Sequence, residues 1–349
     1  MSDLRDRVLG TLLGGLCGDA IGRPTESLHY QTIAERFGRI TGPVADRRGR
    51  PGEGTDDSAL KHLLCTAIIR ADGEVTAHDW AQVWREQMVP RHYWVPIQNA
   101  YYRLMLQDIP PDEVGVGTML SNSSAMCIAP VGIVNAGNPR AAAREAQSVA
   151  RLVHRGTSLE AAGAVAAAVA AALDENASLD SVLSATTAYL PAESEMIPAI
   201  KAGAALTTES DSYEAFREAF YARLLRPWPD RDERSSMAVD PRETVPAALG
   251  IFLLADGDPV ETILGCANFG RDADTIATIG GAIAGALRGK SALPSDWISD
   301  VREATPVDQD ELSSSLLLVL HQRTVRAAEW ATRMERVLAQ TAFDQSATV

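Results

Sequence analysis

Basic residues, paired cysteines, strand patterns and long apolar runs are all scarce in this chain, and each scarcity excludes something. Lysine and arginine number 32 against 46 aspartates and glutamates, a net charge of −14, and no Lys/Arg-rich run occurs. Such a field repels a phosphate backbone, so nucleic acid is not an expected partner. Cys17, Cys65, Cys127 and Cys266 are widely separated, lie in apolar stretches and form no CxxC pair. They read as buried free thiols in a reducing cytoplasm rather than disulfides or zinc ligands. No uninterrupted apolar segment reaches the ~18–20 residues that cross a bilayer, and Ile276 to Leu287 falls short. Arg5 and Arg7 before the apolar Val8 to Cys17 mimic a signal peptide, but Asp19 follows and no small-residue cleavage site is clear. A mature helix in a soluble, cytoplasmic protein is the expectation. Alternating Val/Ile/Thr stretches between hairpin turns are nearly absent, which argues against a β fold.

What the chain does have is helix-forming sequence. With 46% apolar residues over 349 positions it can bury a large core. Leu159 to Leu173 is dominated by alanine, the best helix former, and Arg140 to Val153 and Tyr213 to Leu225 alternate charged and apolar faces at helical spacing. The fold class predicted is all-α. Gly, Pro and Arg gather at about 38–54 and 226–243, which read as loops, either lids over a site or plain surface connections. No repeat and no compositional break divides the chain, so one domain over 1–340 with a flexible tail at 341–349 is expected.

Two acidic clusters stand where the chain turns hydrophobic, Thr55-Asp56-Asp57-Ser58 and Asp272-Ala273-Asp274-Thr275. Carboxylate and hydroxyl oxygens are hard ligands that suit Mg²⁺, Ca²⁺ or Mn²⁺ better than zinc. Neighbours on a regular helix diverge by about 100°, so these residues serve one site only from a helix N-terminus. N-capping by itself accounts for either cluster singly. Glycine recurs at every fourth position in Gly10, Gly14, Gly18 and Gly22 and again in Gly281, Gly285 and Gly289. Each costs about 1 kcal/mol of helix propensity relative to alanine and bares a stripe for close packing. The glycines alone specify a tight Ala/Gly core; two acidic clusters joined by such stripes point to a divided metal site.

With Asp19 and Glu26 added, four segments in order, Gly10 to Glu26, Gly52 to Leu64, Asn122 to Ala146 and Asn268 to Leu287, resemble the ADP-ribosylglycohydrolase family over roughly residues 5–290. That family includes hydrolases that remove ADP-ribose from dinitrogenase reductase and from arginine or serine side chains. The resemblance implies a compact single-domain, multi-helix orthogonal bundle with two Mg²⁺ (or Mn²⁺) ions in a cleft. By position, Thr55, Asp56, Asp57, Asp272, Asp274 and Thr275 match the metal ligands. Glu26 matches a mobile glutamate near the substrate and becomes the candidate general acid or base, with Asp57 as the alternative. Asn122, Ser123, Ser124, Ala125 and Met126 align with the ADP-ribose-binding loop, and His154 with a histidine that precedes a helix. The substrate implied is an ADP-ribosylated protein or a small ADP-ribose conjugate; nothing in the sequence speaks to oligomeric state.

The chain departs from that pattern at two places. Arg271 stands where the family usually has glycine, adding a large cation beside the candidate centre, and Cys127 stands where an arginine commonly follows the Ala-Met pair. Both bear on substrate choice and leave the ligands intact. A glycosidase for a smaller nucleoside or nucleotide, with an N- or C-glycosidic bond, is therefore the alternative enzyme. A catalytically silent ADP-ribose-binding protein is the alternative outside enzymes, and retention of all six ligand positions argues against it. Other signals fail. Ala284 to Ser291 fits a relaxed phosphate-loop pattern but ends a helix, so Gly289 is predicted to be a C-cap. His29, His62, His78, His92 and His321 have no ligand spacing, and Trp80, Trp84, Tyr93, Trp94, Tyr101 and Tyr102 read as core aromatics.

Overall fold

Alanine and glycine decide how this chain packs, because helices with small surfaces approach one another closely. The structure, a computed structural model, describes residues 3–45, 49–226 and 238–339. In order the helices are α1 (Leu4–Gly22), α2 (Tyr30–Phe37), α3 (Asp56–Arg70), α4 (Ala77–Gln87), α5 (Val95–Leu106), α6 (Ala129–Ile133), α7 (Pro139–Val149) and α8 (Thr157–Ala172). They continue with α9 (Leu179–Ala188), α10 (Met196–Glu209), α11 (Tyr213–Arg223), α12 (Pro241–Leu254), α13 (Pro259–Phe269), α14 (Ala273–Arg288), α15 (Ser295–Ala304) and α16 (Gln309–Ala339). Among the described residues the extended structure is one antiparallel pair, β1 (Leu28–His29) with β2 (Gly270–Arg271). The all-α prediction holds, with helix ends a few residues from those read in the sequence. The first Gly/Pro/Arg-rich stretch is irregular on either side of 46–48, and α12 begins inside the second. Positions 46–48 and 227–237 of those loops, and the expected tail at 341–349, lie outside the described residues.

Three helices are buried nearly all round and form the centre. In α8 every residue from Ala161 to Ala172 is buried, and α1 and α14 are buried over most of their lengths. A helix apolar on all faces belongs inside. α1 and α14 lie against each other along their whole length, and the two glycine stripes form the seam. A Cβ on Gly14 would collide with the Gly281 carbonyl, one on Gly18 with Ala277, one on Gly22 with Ala273 and one on Gly285 with Gly10. Backbone meets backbone there, and the gain in packing offsets the poor helix propensity of glycine.

The two ends of the seam differ. At one end Arg7 closes it: Nε donates to the Ala286 carbonyl at 2.9 Å and Nη2 to that of Ala172, satisfying the C-termini of α14 and α8. Gly289 caps α14 at φ 90°, as expected, with its N–H on the Gly285 carbonyl. At the other end the seam delivers the start of α14 beside the start of α3, and a cavity opens.

Candidate functional site

Both acidic clusters sit at helix N-termini, where the sequence required them. Thr55 caps α3 by accepting from the Asp57 N–H at 3.2 Å, so capping accounts for its hydroxyl. Asp272 occupies the cap position of α14 but makes no capping bond. Its carboxylate accepts instead from the Asn122 side-chain amide, 150 residues away in sequence. Asp274 accepts from the Thr275 N–H at 3.0 Å, and Asp56 from the Trp94 N–H at 3.0 Å.

The β1–β2 pair adds the third element. Leu28 lies opposite Arg271 and His29 opposite Gly270, and the Ser27 N–H donates to the Arg271 carbonyl at 2.6 Å. Ser27 and Arg271 both adopt left-handed backbone, at φ 63° and 61°, conformations a non-glycine residue holds only when its surroundings impose them. The result is that Glu26, Asp272 and Asp274 offer carboxylate oxygens within 4.8 Å of one another.

The cavity between these elements has a volume of about 690 Å³. Its described lining contains Glu26, Thr55, Asp56, Asp57, Asp272, Asp274 and Thr275, with Asn122, Ser123 and Met126 from the loop before α6. Burial raises every one of the four aspartates. Asp56 is pushed up to about 6, with the Trp94 N–H pulling it back, and Asp272 to about 7, with the Glu26 charge adding to the effect of burial. Asp57 and Asp274 rise well above the ordinary carboxylate range, first from burial and then from neighbouring carboxylates. Asp57 Oδ2 is buried with no hydrogen-bond partner. No lysine or arginine among the described residues forms an ion pair with Asp56, Asp57, Asp272 or Asp274. Dense oxygen donors and an unsatisfied buried carboxylate oxygen, with no ion-paired lysine or arginine on these four aspartates among the described residues, fit a hard divalent ion.

The remaining sequence candidates separate. Ser124, Ala125 and His154 lie behind the wall: His154 is 1% exposed, bridging Ser121 Oγ at 2.8 Å and Ser124 Oγ at 2.7 Å, and burial lowers its pKa to about 3. It holds the loop in shape as a neutral ring. Arg271, expected as a cation beside the centre, is 3% exposed and turned to Glu243, with Nε to Oε1 at 2.7 Å and Nη2 to Oε2 at 3.0 Å. It does not appear in the cavity lining. Cys127 is buried, its thiol directed at the Ser124 carbonyl at 3.5 Å.

Sequence reasoning gave no role at the site to four residues. Asp19 is fully buried and accepts from the Thr55 N–H at 2.9 Å and the Ser58 N–H at 3.0 Å, gripping the start of α3 from the helix that is seamed to α14. A lone acid in a glycine-striped apolar helix was the available signal. Trp94, read as a core aromatic, and His92, given no ligand role, line the cavity, while Trp80 and Trp84 are buried as expected. Arg23, also in the lining, donates to the carbonyls of Glu53 at 2.7 Å and Arg50 at 2.9 Å, fastening the loop before α3.

The chain is similar to known proteins in sequence and in fold. The sequence profile of a family described as ADP-ribosylglycohydrolase matches residues 1–329. An uncharacterized protein, YegU of Escherichia coli K12, is 24% identical over 342 residues, covering 91% of this chain and 98% of its own. An uncharacterized protein of Archaeoglobus fulgidus is 27% identical over 338 residues, covering 93% and 99%. A solved structure described as an ADP-ribosylglycohydrolase-related protein complex superposes with a TM-score of 0.66 at 23% identity, over 93% of this chain and 99% of that one, a likeness of fold.

Proposed function

For a chain that belongs to the ADP-ribosylglycohydrolase family, we propose that the cavity hydrolyses a ribosyl glycosidic bond, in an ADP-ribosylated protein or a small ADP-ribose conjugate, with the help of two divalent cations. The observation that carries this reading is the convergence of buried, uncompensated carboxylates from two remote helix starts, with Asp57 Oδ2 unsatisfied among them. Thr55, Asp56, Asp57, Asp272, Asp274 and Thr275 would hold the ions, and their hard oxygens favour Mg²⁺, with Mn²⁺ an acceptable substitute. Bound there, such ions supply positive charge that orients the ribose hydroxyls and acidifies a water at neutral pH.

The chain's own residues do the rest. Glu26 precedes the left-handed Ser27, and its carboxylate lies within 4.8 Å of those of Asp272 and Asp274. From there it is proposed to move a proton to the leaving atom or from the attacking water, with Asp57 as the alternative. Asn122 and Ser123 offer hydrogen bonds along one wall, and Met126, Trp94 and Val239 give apolar surface against a sugar or base face. A volume of about 690 Å³ suits a dinucleotide-sized ligand.

One observation favours a second substrate. Arg23 is the one lysine or arginine in the described lining, and Arg271 is committed to Glu243. Few cations for a pyrophosphate point to a glycosidase for a smaller nucleoside. Release assays on arginine-linked and serine-linked ADP-ribose and on free nucleosides, with Mg²⁺ and with Mn²⁺, decide between them. Binding of Mg²⁺ and ADP-ribose by calorimetry with release from no substrate would instead mark a silent binding protein. No described helix is long and apolar enough to cross a membrane; together with four buried free cysteines this supports a cytoplasmic location.

A further inference from the structure

One stripe of α11 is turned toward the backbone that supports the site. Phe216 and Phe220 of this helix are fully buried, and beside them Tyr213, Arg217 and Tyr221 recur at every fourth position, a second stripe on neighbouring turns. Tyr213 donates its hydroxyl to the Gly265 carbonyl of α13 at 2.6 Å. The Arg217 guanidinium lies 4.1 Å from the centre of the Tyr30 ring. Tyr221, the last of the three, stands where α13 ends and the strand pair begins.

Its hydroxyl touches both sides of that pair. It donates at 2.7 Å to the carbonyl of Phe269, the last residue of α13, and its oxygen accepts from the Tyr30 backbone N–H. The ring meets those of His29 and Tyr30 edge-on, each at 4.9 Å between centres, and that of Phe269 at 5.2 Å. Phe269 precedes Asp272 by three positions and Tyr30 follows Glu26 by four. A single side chain thus spans the two segments that carry the candidate proton carrier and the candidate ligands.

The two kinds of carboxylate are not held alike. Asp272 and Asp274 open α14, whose backbone is seamed to α1, and Asp272 accepts from Asn122 as well. Glu26 lies in a connection between α1 and β1. On one side of it the Thr25 hydroxyl donates to the Ala267 carbonyl at 2.7 Å, and on the other the Ser27 N–H donates to the Arg271 carbonyl at 2.6 Å. The second tie belongs to the strand pair beneath Tyr221.

We propose that Tyr221 is a positioning residue, which braces β1 against β2 and thereby sets the Glu26 carboxylate beside Asp272 and Asp274. Its effect on turnover rests on the hydrolytic reading above; its effect on the backbone does not.

Tyr221→Phe keeps the ring and removes the bridging hydroxyl. In the metal-free full chain the Ser27 amide should exchange with solvent about 10-fold faster than in the parent, while amides of α1 and α14 keep their rates. With substrate, kcat should fall about 10-fold, and KM and Mg²⁺ affinity should stay within about twofold, since the aspartates are held elsewhere. In a Glu26→Gln background the same substitution should change residual turnover by less than about twofold, as expected of a residue that acts through Glu26. Tyr213→Phe is the control: it keeps the ring that faces Arg217, loses a hydroxyl bond of the same kind on the same helix, and should match the parent in kcat and in Ser27 exchange. Tyr30→Leu takes away the partner ring from the β1 side and should repeat both changes, which serves where Tyr221→Phe does not fold. Parent-like exchange at Ser27 in Tyr221→Phe, an equal loss in Tyr213→Phe, or an undiminished loss in the Glu26→Gln background overturns the proposal. Release from no substrate by the parent would overturn the hydrolytic reading instead, and exchange at Ser27 would still decide whether Tyr221 braces the strands.

Discussion

Two sets of carboxylates are buried in this molecule, and they are treated in opposite ways. Glu145 and Glu243 each meet an arginine: Arg323 bonds both oxygens of Glu145 at 2.8 and 2.9 Å, and Arg271 both oxygens of Glu243 at 2.7 and 3.0 Å. Backbone N–H groups add to each, Val75 on Glu145 and Arg226 on Glu243, both at 2.6 Å. Asp57, Asp272 and Asp274, as buried, have no arginine or lysine ion pair among the described residues. The first set is complete within the chain. The second has no such partner among the described residues, and that is the difference between a structural ion pair and the cation site proposed for it.

The largest effect expected at the site beside the second set is catalytic. Glu26→Gln keeps the shape of the side chain and removes its proton-transfer capacity, so turnover should fall roughly 100- to 10,000-fold. Mg²⁺ affinity measured by calorimetry should stay within severalfold of the parent. Unchanged turnover would remove Glu26 from the chemistry.

Substitution in the compensated set should act on stability instead. Glu243→Gln leaves the Arg271 guanidinium buried without its carboxylate, at an expected cost of about 3 kcal/mol in urea unfolding. Replacing both partners, as Glu243→Leu with Arg271→Met, should recover most of that loss. A double variant as unstable as the single one would mean that the pair does more than satisfy itself.

The same acid-to-amide change at Asp57 should have the opposite sign. In metal-free protein Asp57→Asn relieves repulsion from Asp19, Asp56 and Asp272, and stability should rise by about 1 kcal/mol, roughly 2 °C in melting temperature. The increase in melting temperature that Mg²⁺ gives the parent should shrink in the variant. A metal-free Asp57→Asn protein less stable than the parent would erase the distinction between the two sets.

How much of this was legible in sequence depended on how local each signal is. Helices such as α8 announce themselves by composition, and the acidic clusters by position before apolar runs. The glycine stripes were legible as spacing, but which backbone they met was not, since Gly14 and Gly281 are separated by most of the chain. Glu26 reaches Asp272 through a two-residue strand pair and left-handed residues at Ser27 and Arg271. Hydropathy carries no trace of that geometry. Arg271 looked like a cation beside the site because its partner Glu243 lies 28 residues earlier, in another helix. Trp94 read as core because an aromatic in a cluster of aromatics gives no sign of which member faces a cavity.

The smallest net effect expected is the pH dependence of stability in metal-free protein, because two groups of buried residues oppose each other. Burial lowers His154 and His62 to about 3, from about 6.5 in an unfolded chain. The unfolded state therefore binds more protons below pH 6.5, and each histidine removes stability as pH falls toward 3, by up to ~1.4 kcal/mol per pH unit. Asp56 and Asp272, raised to about 6 and 7, work the other way. Their folded forms bind more protons than the unfolded chain between about pH 4 and 7, so acidification adds stability across that window. Asp57 and Asp274, raised further, act in the same direction, so urea midpoints of the metal-free parent should rise from pH 7 to pH 4, by less than the four carboxylates alone would give. His154→Asn with His62→Asn removes the opposing side, and its midpoints, whatever their absolute level, should rise more steeply as pH is lowered. A profile parallel to the parent's would mean that the histidines are not held neutral, and that the carboxylates alone set the acid response.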